Sequence, residues 1–356
     1  MADAELALRS PASPRLRGGS SGIASLRDWR YGVVGTGAGI GLIFLATMGL
    51  DHGPTWSRWV LGVAGVFALS RGLDVLGKAR FGPGFQTGFW LAAIWVGIVV
   101  VFAVLAPLLP LQRPGYLPLS APSYVRPNLF SSHPLGTDSF GRDYLARLIW
   151  GSRISLIVGL GCTAVGLALG TGLGLVAGYY KGRVEAVLNL LTDSLLAFPP
   201  LVFLLALVAV LRPSLKSLFI AFALLTVPTI IRLAKANTFV FTQRDFVLAA
   251  EALGARHRRI ICREVLPNVL RPLLSYSMVI VASLIVAEAS LSFLGLGIKP
   301  PSPSWGNMIA ESQTVLQRDP HAILVPASVL FLTVFAFNRL GEAGRARRES
   351  RQSALG

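Results

Sequence analysis

Residues 245–268 read DFVLAAEALGARHRRIICREVLPN, a polar and basic island between very apolar neighbours. Ala186–Leu211 and Leu215–Ile231 precede it and Leu273–Ile298 follows. These runs approach or exceed the ~20 residues that carry a helix across a ~30 Å hydrocarbon core. Between Arg232 and Arg271 the cations are Arg232, Lys235, Arg244, Arg256, Arg258, Arg259, Arg263 and Arg271, against Asp245, Glu251 and Glu264. A short loop with that excess of Lys and Arg stays on the cytoplasmic side.

The loop has its own pattern. Phe246, Val247, Ala249, Ala250 and Leu253 predict a short amphipathic helix, and Gly254 supplies a stop or sharp bend. Ile260, Ile261, Val265 and Leu266 predict a second amphipathic turn, ended by Pro267. Physically this describes either a docking element for a cytoplasmic partner or an interfacial helix held by headgroups.

Ala249-Ala250, Gly254 and Leu266-Pro267 fall on the spacing of the EAA loop of ABC-importer membrane subunits, and the flanking residues resemble the dipeptide/oligopeptide/nickel permease branch. The resemblance implies that Ala249, Ala250, Leu253, Gly254, Leu266 and Pro267 form a coupling element seated in a cleft of an ATPase subunit. Leu248 replaces the loop's Glu and Glu264 its Ile, so docking by shape carries over and a salt bridge from that Glu does not. Two further stretches resemble the same branch in the same order, HPLGTDSFGRDYLARLIWGSRISL at 133–156 and AEASLSFLGLGIKPPSPSWGNM at 287–308. Together the matches run from about Phe89 to Gly341. The family's acidic tail is replaced by Arg345, Arg347, Arg348 and Arg351.

Composition agrees with a membrane protein. Hydrophobic residues make up 53% and charged ones 14%, far from the balance of a soluble domain. The net charge of +16 is concentrated in the tails and alternate loops, which reads as orientation and lipid contact rather than nucleic-acid binding. Cys162 and Cys262 do not suggest a disulfide, and the four histidines form no metal-ligand spacing.

In chain order, residues 1–30 read as a disordered basic tail. Residues 31–85 form an extra hydrophobic region of about two spans, Tyr31–Leu50 and the short Trp56–Ser70, which either crosses with local thinning or only re-enters, with Arg71, Lys78 and Arg80 in a cytoplasmic loop. Residues 86–151 hold the first core span, Phe89–Leu111, and an external loop in which Asp143 to Trp150 predicts a short helix at the outer surface. The permease core covers 152–341, and 342–356 is a basic tail. In Ile154–Tyr180, Gly166, Gly170, Gly174 and Gly178 line one face for close helix packing; the partner helix lies within the chain or in another subunit. Pro199-Pro200 kinks Ala186–Leu211, which also holds Asp193, a gate residue or an interhelical hydrogen-bonding group. Glu288, nearer the bilayer middle, lines the translocation path or pairs structurally, with Ser283, Ser290 and Ser292 at hand. Asp193 and Glu288 are thus the candidate path or gate residues. The external loop Lys299–His321, which includes Trp305, resembles the segment that meets a solute-binding protein.

The expected fold is an all-α polytopic membrane protein, an ABC type I importer transmembrane domain with six core spans plus about two N-terminal ones. No Walker A loop, catalytic triad or metal motif stands in the chain, so no catalytic residue, cofactor or metal is assigned, and ATP and Mg are expected on partner subunits. The resemblance implies a paralogous second permease, two ABC ATPase subunits and an extracytoplasmic solute-binding protein, in the bacterial inner membrane with both termini cytoplasmic. Peptides are the first expectation for the solute, with nickel as another. A stand-alone ion-coupled transporter or channel is the alternative; it calls for more paired intramembrane charges than Asp193 and Glu288 supply.

Overall fold

In the computed structural model, residues 21–48, 55–82, 85–118, 122–128, 131–211 and 214–353 are described. Asp51 to Pro54, and residues 1–20 of the expected tail, lie outside them. Two compact units divide the chain, Met1–Trp90 and Leu91–Gly356.

The first unit is a helical hairpin of α1 (Ser21–Met48) and α2 (Thr55–Phe81). Gly35 approaches Gly72, and a Cβ on it would lie 3.3 Å from the Gly72 Cα. Two corrections follow. Helix begins at Ser21, inside the segment expected to be a tail. Arg71, Lys78 and Arg80 belong to α2 and not to a loop, because no breaker interrupts the helix and Asp74–Lys78 forms an i,i+4 pair at 2.5 Å.

The second unit begins within α3 (Thr87–Leu105) and is helical, with an isolated bridge between Thr137 and Asp143. α4 runs unbroken from Tyr144 to Tyr180. Asp143 caps it, accepting from the Ala146 N–H at 3.1 Å. The expected surface helix is therefore the first turns of this span, since nothing breaks the helix before Lys181, whose φ is +52°. Residues 157–161 and 166–170 widen into π turns.

The span expected at Ala186–Leu211 is two helices, α5 (Gly182–Leu196) and α6 (Pro200–Val210), bent by 83°. Pro199 has an extended ψ of 126° and Pro200 opens α6 at its first turn, where a missing N–H costs nothing. The result is a break rather than a kink. α7 (Leu215–Thr242) returns with Pro228 inside it. α8 (Asp245–Ala252) is the short helix expected from the loop. α9 runs from His257 to Phe293, so the second amphipathic turn is the start of a span and Pro267 does not end it. A π turn at 260–265 precedes the ring and gives it room.

α10 (Trp305–Glu311) is capped by Ser304 and Asn307 in a reciprocal box. α11 (His321–Ser353) continues through the expected C-terminal tail, with Gly341 and Gly344 against Ser275 and neighbouring residues of α9. Among the described residues five helices are long and apolar enough to cross a membrane, and six if α5 and α6 count as one span.

α4 and α7 touch along the glycines. A Cβ on Gly166 would lie 2.7 Å from Thr226 Cγ2, on Gly170 2.9 Å from Ile230 Cβ, on Gly174 2.5 Å from Ala234 Cβ, and on Gly178 2.7 Å from Thr238 Cβ. Their partner helix is thus inside the chain. In lipid such packing replaces the hydrophobic drive that water would supply. Gly174→Val should lower stability by about 1–3 kcal/mol, seen as a drop in melting temperature in detergent. Gly172→Val, at a position where an added Cβ meets nothing within 4 Å, should leave it nearly unchanged; equal shifts would remove the seam's importance.

Candidate functional site

One end of the bundle is built around α8. Asp245 sits in its first turn, where a carboxylate suits the helix dipole. The helix ends in a Schellman motif: the Ala255 N–H donates to the Ala250 carbonyl (3.0 Å) and the Gly254 N–H to the Glu251 carbonyl (2.9 Å). Gly254 has φ of +75°, the left-handed region that costs an L residue about 1–2 kcal/mol.

Val247 is fully buried, in one cluster with Leu175 of α4, Ala234 of α7 and Ile260, Val265, Val269 and Leu273 of α9. The opposite side of α8 faces out. Leu248 is 52% exposed and Leu253 88%, Ala249 and Ala252 are exposed between them, and Ala250 is half-buried. Leu266 is half-buried and packs against the same cluster, while Pro267 is exposed. The docking residues read from the sequence thus divide: Ala249, Leu253 and Gly254 lie outward, whereas Ala250 and Leu266 join the anchor. His257 closes the corner through a 2.8 Å hydrogen bond between its Nδ1 and the Tyr179 hydroxyl.

Asp193 projects from α5 to Arg232 of α7 at 2.5 Å, with both side chains well exposed. One and two turns back along α5, Asn189 and Glu185 accept from Lys235 at 2.8 and 3.0 Å. Asp193 therefore belongs to a polar seam between two helices. The i, i+4, i+8 spacing of Glu185, Asn189 and Asp193 was available in the sequence as a signal for that seam.

Glu288 is wholly buried. Its carboxylate accepts from Ser155 of α4 at 2.8 Å and Ser292 of α9 at 2.7 Å. Ser283 and Ser290, expected as neighbours, instead donate to the carbonyls of Val279 and Val286 in their own helix. Ser155 comes from a distant part of the chain and no local pattern marks it.

At the outer end, Asp138 accepts from Arg142 Nε (2.6 Å) and Arg147 Nη1 (2.5 Å), and Glu311 of α10 accepts from the same arginines at 3.3 and 2.8 Å. Asp138 also accepts the backbone N–H groups of Phe140 and Arg142. Trp305 is buried and donates to the Leu148 carbonyl at 3.2 Å, so α10 is packed onto α4 and its tryptophan is not a surface contact. The sequence marked the turns of this stretch but not the ionic cluster, since Glu311 lies far along the chain.

These features define a polytopic helical membrane protein whose short helix α8 turns small and apolar side chains outward. Residues 170–347 match the family model described as binding-protein-dependent transport system inner membrane component, and the chain belongs to that family. It is a multi-pass permease component with the fold of an ABC type I transmembrane domain. The chain is 35% identical over 255 residues to the dipeptide transport system permease protein DppC of Alkalihalophilus pseudofirmus, covering 72% of this chain and 84% of that protein. Identity to the glutathione transport system permease protein GsiD of Pectobacterium atrosepticum is 38% over 215 residues, 60% of this chain and 71% of that one. The GsiD protein of Escherichia coli O6:K15:H31 is 36% identical over 257 residues, 71% and 83% of the two chains.

Removing one member of the outer cluster strands a buried charge. Arg147→Met should destabilise by about 3–5 kcal/mol, while Arg339→Met, which breaks an exposed pair with Glu342, should change stability by less than about 1 kcal/mol. Thermal unfolding of the two variants in detergent checks the contrast.

Proposed function

We propose that this chain is the passive membrane subunit of an ATP-driven, binding-protein-dependent importer for peptides. The dipeptide and glutathione relatives support that solute class. It works with a paralogous second permease to form the path, with two ABC ATPase subunits that bind ATP and Mg, and with an extracytoplasmic solute-binding protein. The protein lies in the bacterial inner membrane with both termini cytoplasmic, an orientation supported by the arginines of 256–263.

One observation carries the reading: α8 presents small and apolar side chains outward while Val247 anchors it to three membrane helices. Closure of the ATPase subunits on nucleotide pushes α8, and the anchor passes that displacement to α4, α7 and α9 as a rigid-body switch. Ala249, Leu253 and Gly254 form the docking face with the exposed Pro267 beyond it, and Ala250 and Leu266 hold it from behind. Glu288 ties α4 to α9 through serine hydroxyls, and Asp193 braces α5 against α7 beside the break. The ion-coupled alternative finds less support, because among the described residues Glu288 has no cationic partner.

Gly254→Asn, which tolerates a positive φ, should retain copurifying ATPase subunits. Gly254→Val should reduce their recovery about tenfold or more through loss of the Schellman turn. Unchanged recovery with valine would contradict the docking role.

A further inference from the structure

The docking surface also has a charge pattern. Arg244, Arg256, Arg258, Arg259 and Arg263 are all exposed, and among the described residues none of them forms an ion pair. Of the loop's three carboxylates, Asp245 and Glu251 lie on α8 and Glu264 follows the arginines on α9, so Arg256, Arg258, Arg259 and Arg263 outnumber the acids on the descending side, at the start of α9. Leu248, Ala249, Ala252 and Leu253 make the apolar ridge beside them.

Along a helix normal to the bilayer, these cations would lie beyond the headgroup phosphates. Leu273 begins the apolar run of α9. At ~1.5 Å per residue, His257 is about 24 Å further along the helix axis. The headgroup layer adds only about 5–8 Å on each side of the hydrocarbon. In that orientation Arg271 would lie within the layer, and Arg258 and Arg259 below it. Exposed apolar side chains at that depth face water unless a protein covers them.

We propose that the cleft receiving α8 is apolar at its floor and lined with Asp and Glu carboxylates along the wall that faces residues 256–263. The inference rests on the importer reading and specifies the chemistry of its ATPase partner. Long-range attraction between these surfaces speeds encounter and fixes which way round α8 seats, while the apolar ridge holds the complex. Leu248, where the resemblance calls for a Glu, keeps that side of the ridge free of a charge that such a cleft would repel.

The test measures rebinding of stripped ATPase subunits to the permease pair in nanodiscs of phosphatidylcholine alone and of phosphatidylcholine with phosphatidylglycerol. In both lipids, wild-type affinity should fall with added salt, and the double variant Arg258→Glu, Arg259→Glu should bind about tenfold or more weakly. Cys262 is exposed among these arginines, so Cys262→Glu should weaken binding and Cys262→Lys should not. This opposite pair separates charge from misfolding. Equal binding by the reversed variant, or tighter binding by Cys262→Glu, would overturn the proposal while leaving the importer reading intact. An effect seen only with phosphatidylglycerol would assign the arginines to lipid and overturn it too. Wild-type protein that binds no ATPase subunit in either lipid would instead defeat the importer reading itself.

Discussion

Contact between α4 and α7 through Gly166, Gly170, Gly174 and Gly178 sets the spacing on which the seating of α8 depends. Next to Gly174, Leu175 joins Ala234, which faces that glycine, in the cluster that receives Val247 of α8. A wider seam would pull the two walls of that socket apart. The physics changes along this axis. Within the bilayer, the helices gain from close packing and little from exclusion of water. Beyond it, burial of Val247, Ile260 and Val265 is favoured by about 1.5–3 kcal/mol for each fully buried side chain. The docking helix is held by the second effect on a frame assembled by the first.

The outer half is held differently. Asp138, Arg142, Arg147 and Glu311 bring together a loop, α4 and α10 in a site where the three residues other than Glu311 have side chains at most 7% exposed. Such a cluster gains little net stability over apolar packing, but it tolerates few geometries, since each missing partner leaves a buried charge. Glu288 lies below it, with Ser155 and Ser292 donating from α4 and α9. Both devices specify how α4 meets the helices that follow it. Between the two halves, the 83° break at Ala197 to Pro199 leaves α5 and α6 without a continuous backbone ladder.

Much of this was legible in the sequence where the signal was local. Hydropathy located the core spans from α3 onward, and Gly254 marked a turn that uses its positive φ. The errors were also local in origin. Asp143 to Trp150 and Ile260 to Leu266 read as separate surface helices because their pattern is amphipathic, yet amphipathicity says nothing about where a helix ends. The first continues as a span because no proline follows it, and the second continues despite Pro267. Pro267 fits inside α9 because the preceding π turn accommodates it, a register detail that composition does not carry. Arg71, Lys78 and Arg80 looked like a loop by charge alone, although the helix had no reason to stop. The partners of Glu288, Asp193 and Asp138 depended on which distant helices meet, and a single chain's pattern does not encode that pairing.

The proposed function casts α8 as a relay between ATPase subunits and the membrane helices. The most direct test is peptide uptake into proteoliposomes holding this permease, its paralogous partner, the ATPase subunits and the binding protein. Uptake should require ATP inside the coupling compartment and should be indifferent to an imposed proton or sodium gradient. Uptake driven by such a gradient by this chain alone, without ATP or ATPase subunits, would contradict it.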